Sequence, residues 1–201
     1  MIAYPHETPP APGESILVAP GIYWIRMPLP FKLDHINLWL LEDHDADGDV
    51  MGDVAGDGGG EIKGRGWTIV DTGYGMAQTH TWWERHFVET MQGLPVKHPD
   101  HVGCAAWLHE RTGAPVWMTA TEFLSAHAAA EDTSGFDRAT TAALFIAHGL
   151  ARIRPDFAAA QNERSNAYKR GVPTLPRQYH RLIDGDSLRI GTRQWTVKTV
   201  L

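Results

Sequence analysis

The most constraining stretch of this chain is GLPVKHPDHVG, residues 93–103, where the end of one helix pattern meets a crowd of histidine and carboxylate side chains. Upstream, MAQTHTWWERHFVETM at 76–91 repeats apolar residues at Trp83, Phe87, Val88 and Met91. That spacing predicts a helix with one buried side, stopped by Gly93 and Pro95. Downstream, VGCAAWLHER at 102–111 predicts a second short helix ended by Gly113. Only Pro95, Val96 and Lys97 remain before His98, so almost no room for a sheet strand is expected there.

Strand patterns lie on both sides of this junction. SILVAP and GIYWIRMPLP predict two short strands around the Pro20-Gly21 turn, HINLWLLE a third, and GWTIVDTG a buried fourth that turns sharply after Asp71. APVWMT reads as a brief strand. It is followed by three alanine-rich helical segments, TATEFLSAHAAAED, Thr140 to Ala151 and DFAAAQNERSNAYKR, which form a helical insert at about 120–171. QYHRLI, SLRIG and RQWTVKTVL return to strands around the Asp184-Gly185 turn. The expected architecture is α/β (α+β), a sheet covered by helices, in one domain over 1–201.

Composition narrows the function. The chain has 201 residues, 43% apolar and 21% charged, which fits a folded domain and excludes wholesale disorder. Eighteen basic residues against 24 acidic ones give a net charge of −6, which argues against nucleic acid as a partner. The longest apolar runs fall far short of the roughly 20 residues of a spanning helix, so no membrane is expected. MIAYPHETPP lacks the basic start and apolar stretch of a secretory signal, and Cys104 is the single cysteine, so a cytoplasmic location is expected.

The strongest chemical signal is HPDHVG, in which His98, Asp100 and His101 crowd together just before a helix. Imidazole and carboxylate suit zinc, iron or manganese, and a turn lets such close neighbours address one centre. On spacing alone, loop histidines that face solvent are the competing reading. Asp43, Asp45, Asp47 and Asp49, with Gly48, imitate the first half of a calcium loop, but Val54 occupies the twelfth position and the flanks read as strands. A solvated hairpin loop is the favoured reading of 43–53. GDGGG lacks the spacing of a dinucleotide loop, so no organic cofactor is expected. Trp82, Trp83 and Trp107 read as core, His80 sits near the DTG turn, and Arg152, Arg154, Arg164, Lys169 and Arg170 form a local basic surface.

The order GIYWIRMPLP, HINLWLLED, GWTIVDTG, HPDHVG, helix and APVWMTATEF resembles the N-terminal part of the metallo-β-lactamase superfamily, in a group similar to hydroxyacylglutathione hydrolase. The resemblance implies a partial αββα sandwich and a zinc-dependent hydrolase in which metal-bound hydroxide attacks an ester or thioester. By the same resemblance His98 matches the second histidine of the HxHxDH motif, Asp100 its aspartate and its catalytic residue, and His101 its last histidine. Asp71 matches the aspartate that supports the site. The chain departs from the pattern at Val96, which stands where the motif has its first histidine, and it closes at Leu201 before the later ligands. Up to two zinc ions are implied for the intact family, and zero or one is expected here. The competing expectation is a catalytically inactive structural or interaction protein that keeps part of the fold, with a homo-oligomer as a possible assembly.

Overall fold

The computed structural model describes residues 5–44, 64–133, 135–156 and 167–199. Period-two burial builds the first layer. Strands β1 (Ile16–Ala19), β2 (Ile22–Pro28), β3 (His35–Asp43) and β4 (Gly66–Val70) form an antiparallel meander. Ile25 lies opposite Leu38, and Leu40 opposite Ile69. All four side chains are fully buried on the face that carries the core. Gly66 through Ile69 are all buried, so β4 lacks the alternation of a strand with one wet face.

β4 turns into α1 (Ala77–Glu89), whose Trp83 and His86 are fully buried. The Trp83 indole Nε1–H donates to the Thr72 carbonyl at 3.0 Å and ties the helix to the end of β4. The next segment corrects the sequence expectation. Val96–Pro99 forms strand β5, parallel to β4, with Val96 opposite Trp67 and His98 opposite Thr68. Lys97 is passed over in the register. The physical reason is the backbone of β4. Its outer N–H and C=O groups lie in the core, and each one left unpaired costs about 1–3 kcal/mol. Trp67 N–H donates to the Pro95 carbonyl at 2.9 Å and Asp100 N–H to the Ile69 carbonyl at 3.3 Å, which extends the pairing at both ends.

After β5, residues 102–104 form a turn, and α2 (Ala105–Thr112) starts three residues later than its apolar pattern predicts. β6 (Trp117–Thr119) pairs in parallel with β7 (His180–Leu182), and a single bridge between Asp100 and Trp117 links β6 to the end of β5. α3 (Ala120–Ala130) is capped by the Thr119 hydroxyl, which accepts from Glu122 N–H. The predicted helix from Thr140 to Ala151 divides into α4 (Arg138–Ala147) and α5 (Leu150–Ile153), separated by Gly149 at φ 87°. α6 (Ala167–Gly171) follows; most of the third predicted helical segment lies outside the described residues. β8 (Ser187–Ile190) and β9 (Arg193–Thr196) close as an antiparallel hairpin.

The main core joins the sheet to α1 and α2 through Ile25, Leu38, Ile69, Trp83 and Leu108. A second cluster, built on Val102, Val116, Met118, Ala126 and Val172, anchors the start of the helical insert. Asp43 joins the remaining pieces. Its buried carboxylate accepts from Thr68 Oγ1 at 3.0 Å and Gly191 N–H at 3.0 Å, and it pairs with Lys97 Nζ at 3.5 Å. The first carboxylate of the Asp-rich run therefore faces inward, while Asp45, Asp47 and Asp49 lie outside the described residues. The three Trp residues named above pack as core. Trp83 is enclosed, Trp82 packs partly buried against the main cluster, and Trp107 stacks on His80 at 4.1 Å and on Phe87 at 6.4 Å.

Two outcomes test this description. Lys97→Met leaves the Asp43 charge buried without its ion-pair partner and is expected to lower unfolding free energy by about 3 kcal/mol. Denaturant unfolding measures the loss, and faster hydrogen exchange at the Gly191 amide locates it. Burial pushes the His86 imidazole down from 6.5 to about 4. Its contribution is therefore intact above pH 6.5 and is lost as pH falls toward 4, by about 3 kcal/mol. His86→Phe is expected to flatten the stability profile over that window relative to wild type.

Candidate functional site

Two loops at one end of the sheet build the candidate site. At the end of β4, Asp71 adopts φ 69°, and its carboxylate accepts Gly73 N–H at 2.8 Å, closing a tight turn. The Asp71 N–H points the other way and donates to Asp100 Oδ1 at 2.5 Å. Thr72 interlocks the loops: its hydroxyl donates to the His101 carbonyl at 3.1 Å and accepts Cys104 N–H at 2.9 Å. The approach is so close that a Cβ at Gly103 would overlap the Gly73 carbonyl oxygen. Glycine is required there for space.

Each sequence-predicted residue occupies a different environment. His98 belongs to β5 and meets Trp117 edge to face at 5.1 Å; Trp117 in turn stacks on His180 at 4.9 Å. His98 Nδ1 is buried without a hydrogen-bond partner among the described residues. Burial pushes its imidazole down to about 4; nearby Asp43 opposes this shift, whereas Lys97 and His180 reinforce it. Asp100 follows the strand. Burial pushes its carboxyl up to about 6, against the Asp71 N–H and His101, which favour the ionised form, and with Asp71 and Glu122, which disfavour it. His101 has φ 67° and an exposed side chain, with Nδ1 3.8 Å from Glu122 Oε1.

Asp71 and Asp100 are thus brought together, whereas His98 and His101 face different neighbours. Among the described residues, no group of three or more His, Cys, Asp or Glu side chains is arranged to hold a metal ion. The donor set does not fit a zinc centre of three ligands. The cause is local: because VKHP serves as the strand itself, the pleat fixes His98 before the chain reaches the loop that aims Asp100 and His101. Cys104 is buried, which pushes its thiol up to about 12, so it offers no nucleophile.

Trp117, His180 and Glu122 are neighbours that sequence reasoning did not assign to the site. Glu122 carried a faint signal as the acidic member of Thr119-Ala-Thr-Glu122 at a helix start, although its carboxylate turns toward His101. The stacking of His180 on Trp117 depends on the pairing of β6 with β7, which nothing local announces. A cavity of about 180 Å³ lies elsewhere, between β3 and the β8–β9 hairpin, lined by Glu42, Arg193 and Trp195.

Comparison with solved structures supplies the class. The chain is similar to a β-lactamase domain protein from Burkholderia ambifaria, with 36% identity and a TM-score of 0.68, over 96% of this chain and 51% of that one. It is also similar to a metallo-β-lactamase family protein from Thermus thermophilus, with 22% identity and a TM-score of 0.54, over 89% of this chain and 51% of that one; this second likeness concerns the fold alone. No family model matches the chain, and no curated protein does. The chain spans about half the length of these solved structures. Its mixed α/β fold is the metallo-β-lactamase fold that these structures share. Among the described residues no helix is long and apolar enough to cross a membrane.

The two interlocked loops make opposed predictions. Gly103→Ala is expected to destabilise the fold by about 1–3 kcal/mol, because the obstruction is backbone and cannot rotate away. Asp100→Asn keeps an acceptor for Asp71 N–H and removes a desolvated charge. A carboxyl raised to about 6 favours the folded state below its ordinary value of 3.8, and that advantage disappears as pH rises through 6. The variant is therefore expected to be more stable than wild type at pH 7.5, by on the order of 2 kcal/mol. At pH 3.5 the difference should vanish. Paired denaturant titrations at the two pH values check the sign.

Proposed function

We propose that this chain carries the scaffold of a metallo-β-lactamase-type hydrolase of the hydroxyacylglutathione hydrolase-like group, whose reaction class is hydrolysis of an ester or thioester in the cytoplasm. In these 201 residues, Asp71, His98, Asp100 and His101 act in support of the fold, and zero or one metal is bound per chain. The ancestry is supported by 36% identity to a β-lactamase domain protein across nearly the whole chain. The superfamily typically binds zinc.

The observation that carries the second half is the use of His98 as a strand residue against Trp117. Asp100, the residue that the resemblance makes catalytic, has one oxygen committed to the Asp71 N–H. A base or ligand needs its lone pairs aimed at a shared centre, and these side chains divide between the sheet, the inter-loop contact and the surface.

Metal content after purification without added zinc, and again after zinc loading and desalting, tests the reading, with hydrolysis of a chromogenic thioester assayed in parallel. The expected result is no more than one equivalent of metal and no turnover above buffer. Two equivalents, with turnover abolished by both Asp100→Asn and His98→Ala, would overturn it.

A further inference from the structure

We infer that α4 is a self-association surface, and that two copies of this chain pack their α4 helices against each other, antiparallel, about a two-fold axis. This inference is independent of the hydrolase reading. The sequence of α4 is RATTAALFIA, and from Ala139 to Ala147 every residue except the half-buried Ala142 is exposed. Leu144, Phe145 and Ile146 are consecutive and therefore occupy different sides of the helix. They are 57%, 45% and 41% exposed, and nearby Phe136 and Ile153 are 52% and 78% exposed. A helix of ten residues that exposes three large apolar side chains toward its C-terminal end is marginal in water unless something packs on it. Among the described elements its principal neighbour is α5, a single turn.

The charge pattern identifies the occupant. Asp137 caps the N-terminal end of α4, with Glu131 and Asp132 preceding it in the chain, and the Thr140 N–H holds the Asp137 carboxyl below the usual range. Beyond the C-terminal end lie His148, Arg152 and Arg154, the last paired with Asp156. The segments that flank α4 thus carry opposite charge, acidic before it and basic after it. An antiparallel pair sets each acidic end against the other copy's Arg152 and opposes the two helix dipoles, whereas a parallel pair would align like charges. Self-complementarity of this kind is the requirement of a two-fold interface. A lipid surface fits less well, because the acidic end would face anionic headgroups.

Sedimentation velocity on the full chain, from low micromolar to about 100 µM, tests the inference. Wild type is expected to form a concentration-dependent dimer, and Phe145→Glu to remain monomeric with an unchanged circular dichroism spectrum. Arg152→Glu should weaken the dimer about tenfold, and Glu131→Arg combined with it should restore most of the loss. A monomer at the highest concentration would overturn the inference, as would a dimer indifferent to Phe145→Glu or a charge swap without rescue. Binding of the monomer to phosphatidylglycerol vesicles, with no dimer, would assign the helix to lipid instead. Neither metal nor substrate enters the measurement, so its result stands apart from the hydrolysis assay.

Discussion

β4 is the penultimate strand of the sheet, its backbone held by β3 on one side, and its other side must also be hydrogen-bonded because it lies in the core. Val96–Pro99 meets that demand. Satisfying the ladder takes precedence over freeing a histidine, since unpaired buried amides cost more than an altered side-chain direction. From this pairing follow the passed-over Lys97, whose ammonium turns to Asp43, and the placement of His98 opposite Thr68. The bridge that brings Trp117 beside Asp100 has the same origin. One four-residue strand therefore determines both the continuity of the sheet and the disposition of the candidate site.

The ends of β4 and β5 are joined by a compact set of contacts in which backbone groups do most of the bonding. Asp71 uses its amide on Asp100 and its carboxylate on its own turn, and Thr72 serves both loops with one hydroxyl. Such a closure is rigid because each group has one geometry that satisfies it. The electrostatic consequences differ on the two sides. His98, in the sheet, is held neutral at ordinary pH, while Asp100 is ionised there against the pressure of its burial.

Much of this organisation was legible in the sequence. The strands around Pro20-Gly21, the HINLWLLE and GWTIV strands and the helix from Ala77 announce themselves through period and punctuation, and the structure places them accordingly. The DTG turn and the position of Asp71 at a strand end were equally plain. What escaped was VKHP as a strand. Four residues containing a lysine and a histidine show no alternation, and their conformation is imposed by the neighbouring edge. Asp43 misled for a related reason. Its acidic surroundings in sequence suggested a solvated loop, yet its three hydrogen-bonding partners come from residues 68, 97 and 191, which only the fold brings near. The helical insert was recognised as helix, but that α4 would stand exposed on nearly every side could not be read from its alanines.

The reach of Asp43 also bears on the order in which the molecule assembles. Its bond to Gly191 closes a loop of 148 residues, and chain entropy makes so distant a contact a late event relative to the local meander of β1 to β4. Until the C-terminal hairpin docks, that carboxylate lacks one of its donors at the rim of an otherwise formed sheet. The bond is thus a clasp between two far-separated parts of the polypeptide, fastening the C-terminal hairpin to the sheet.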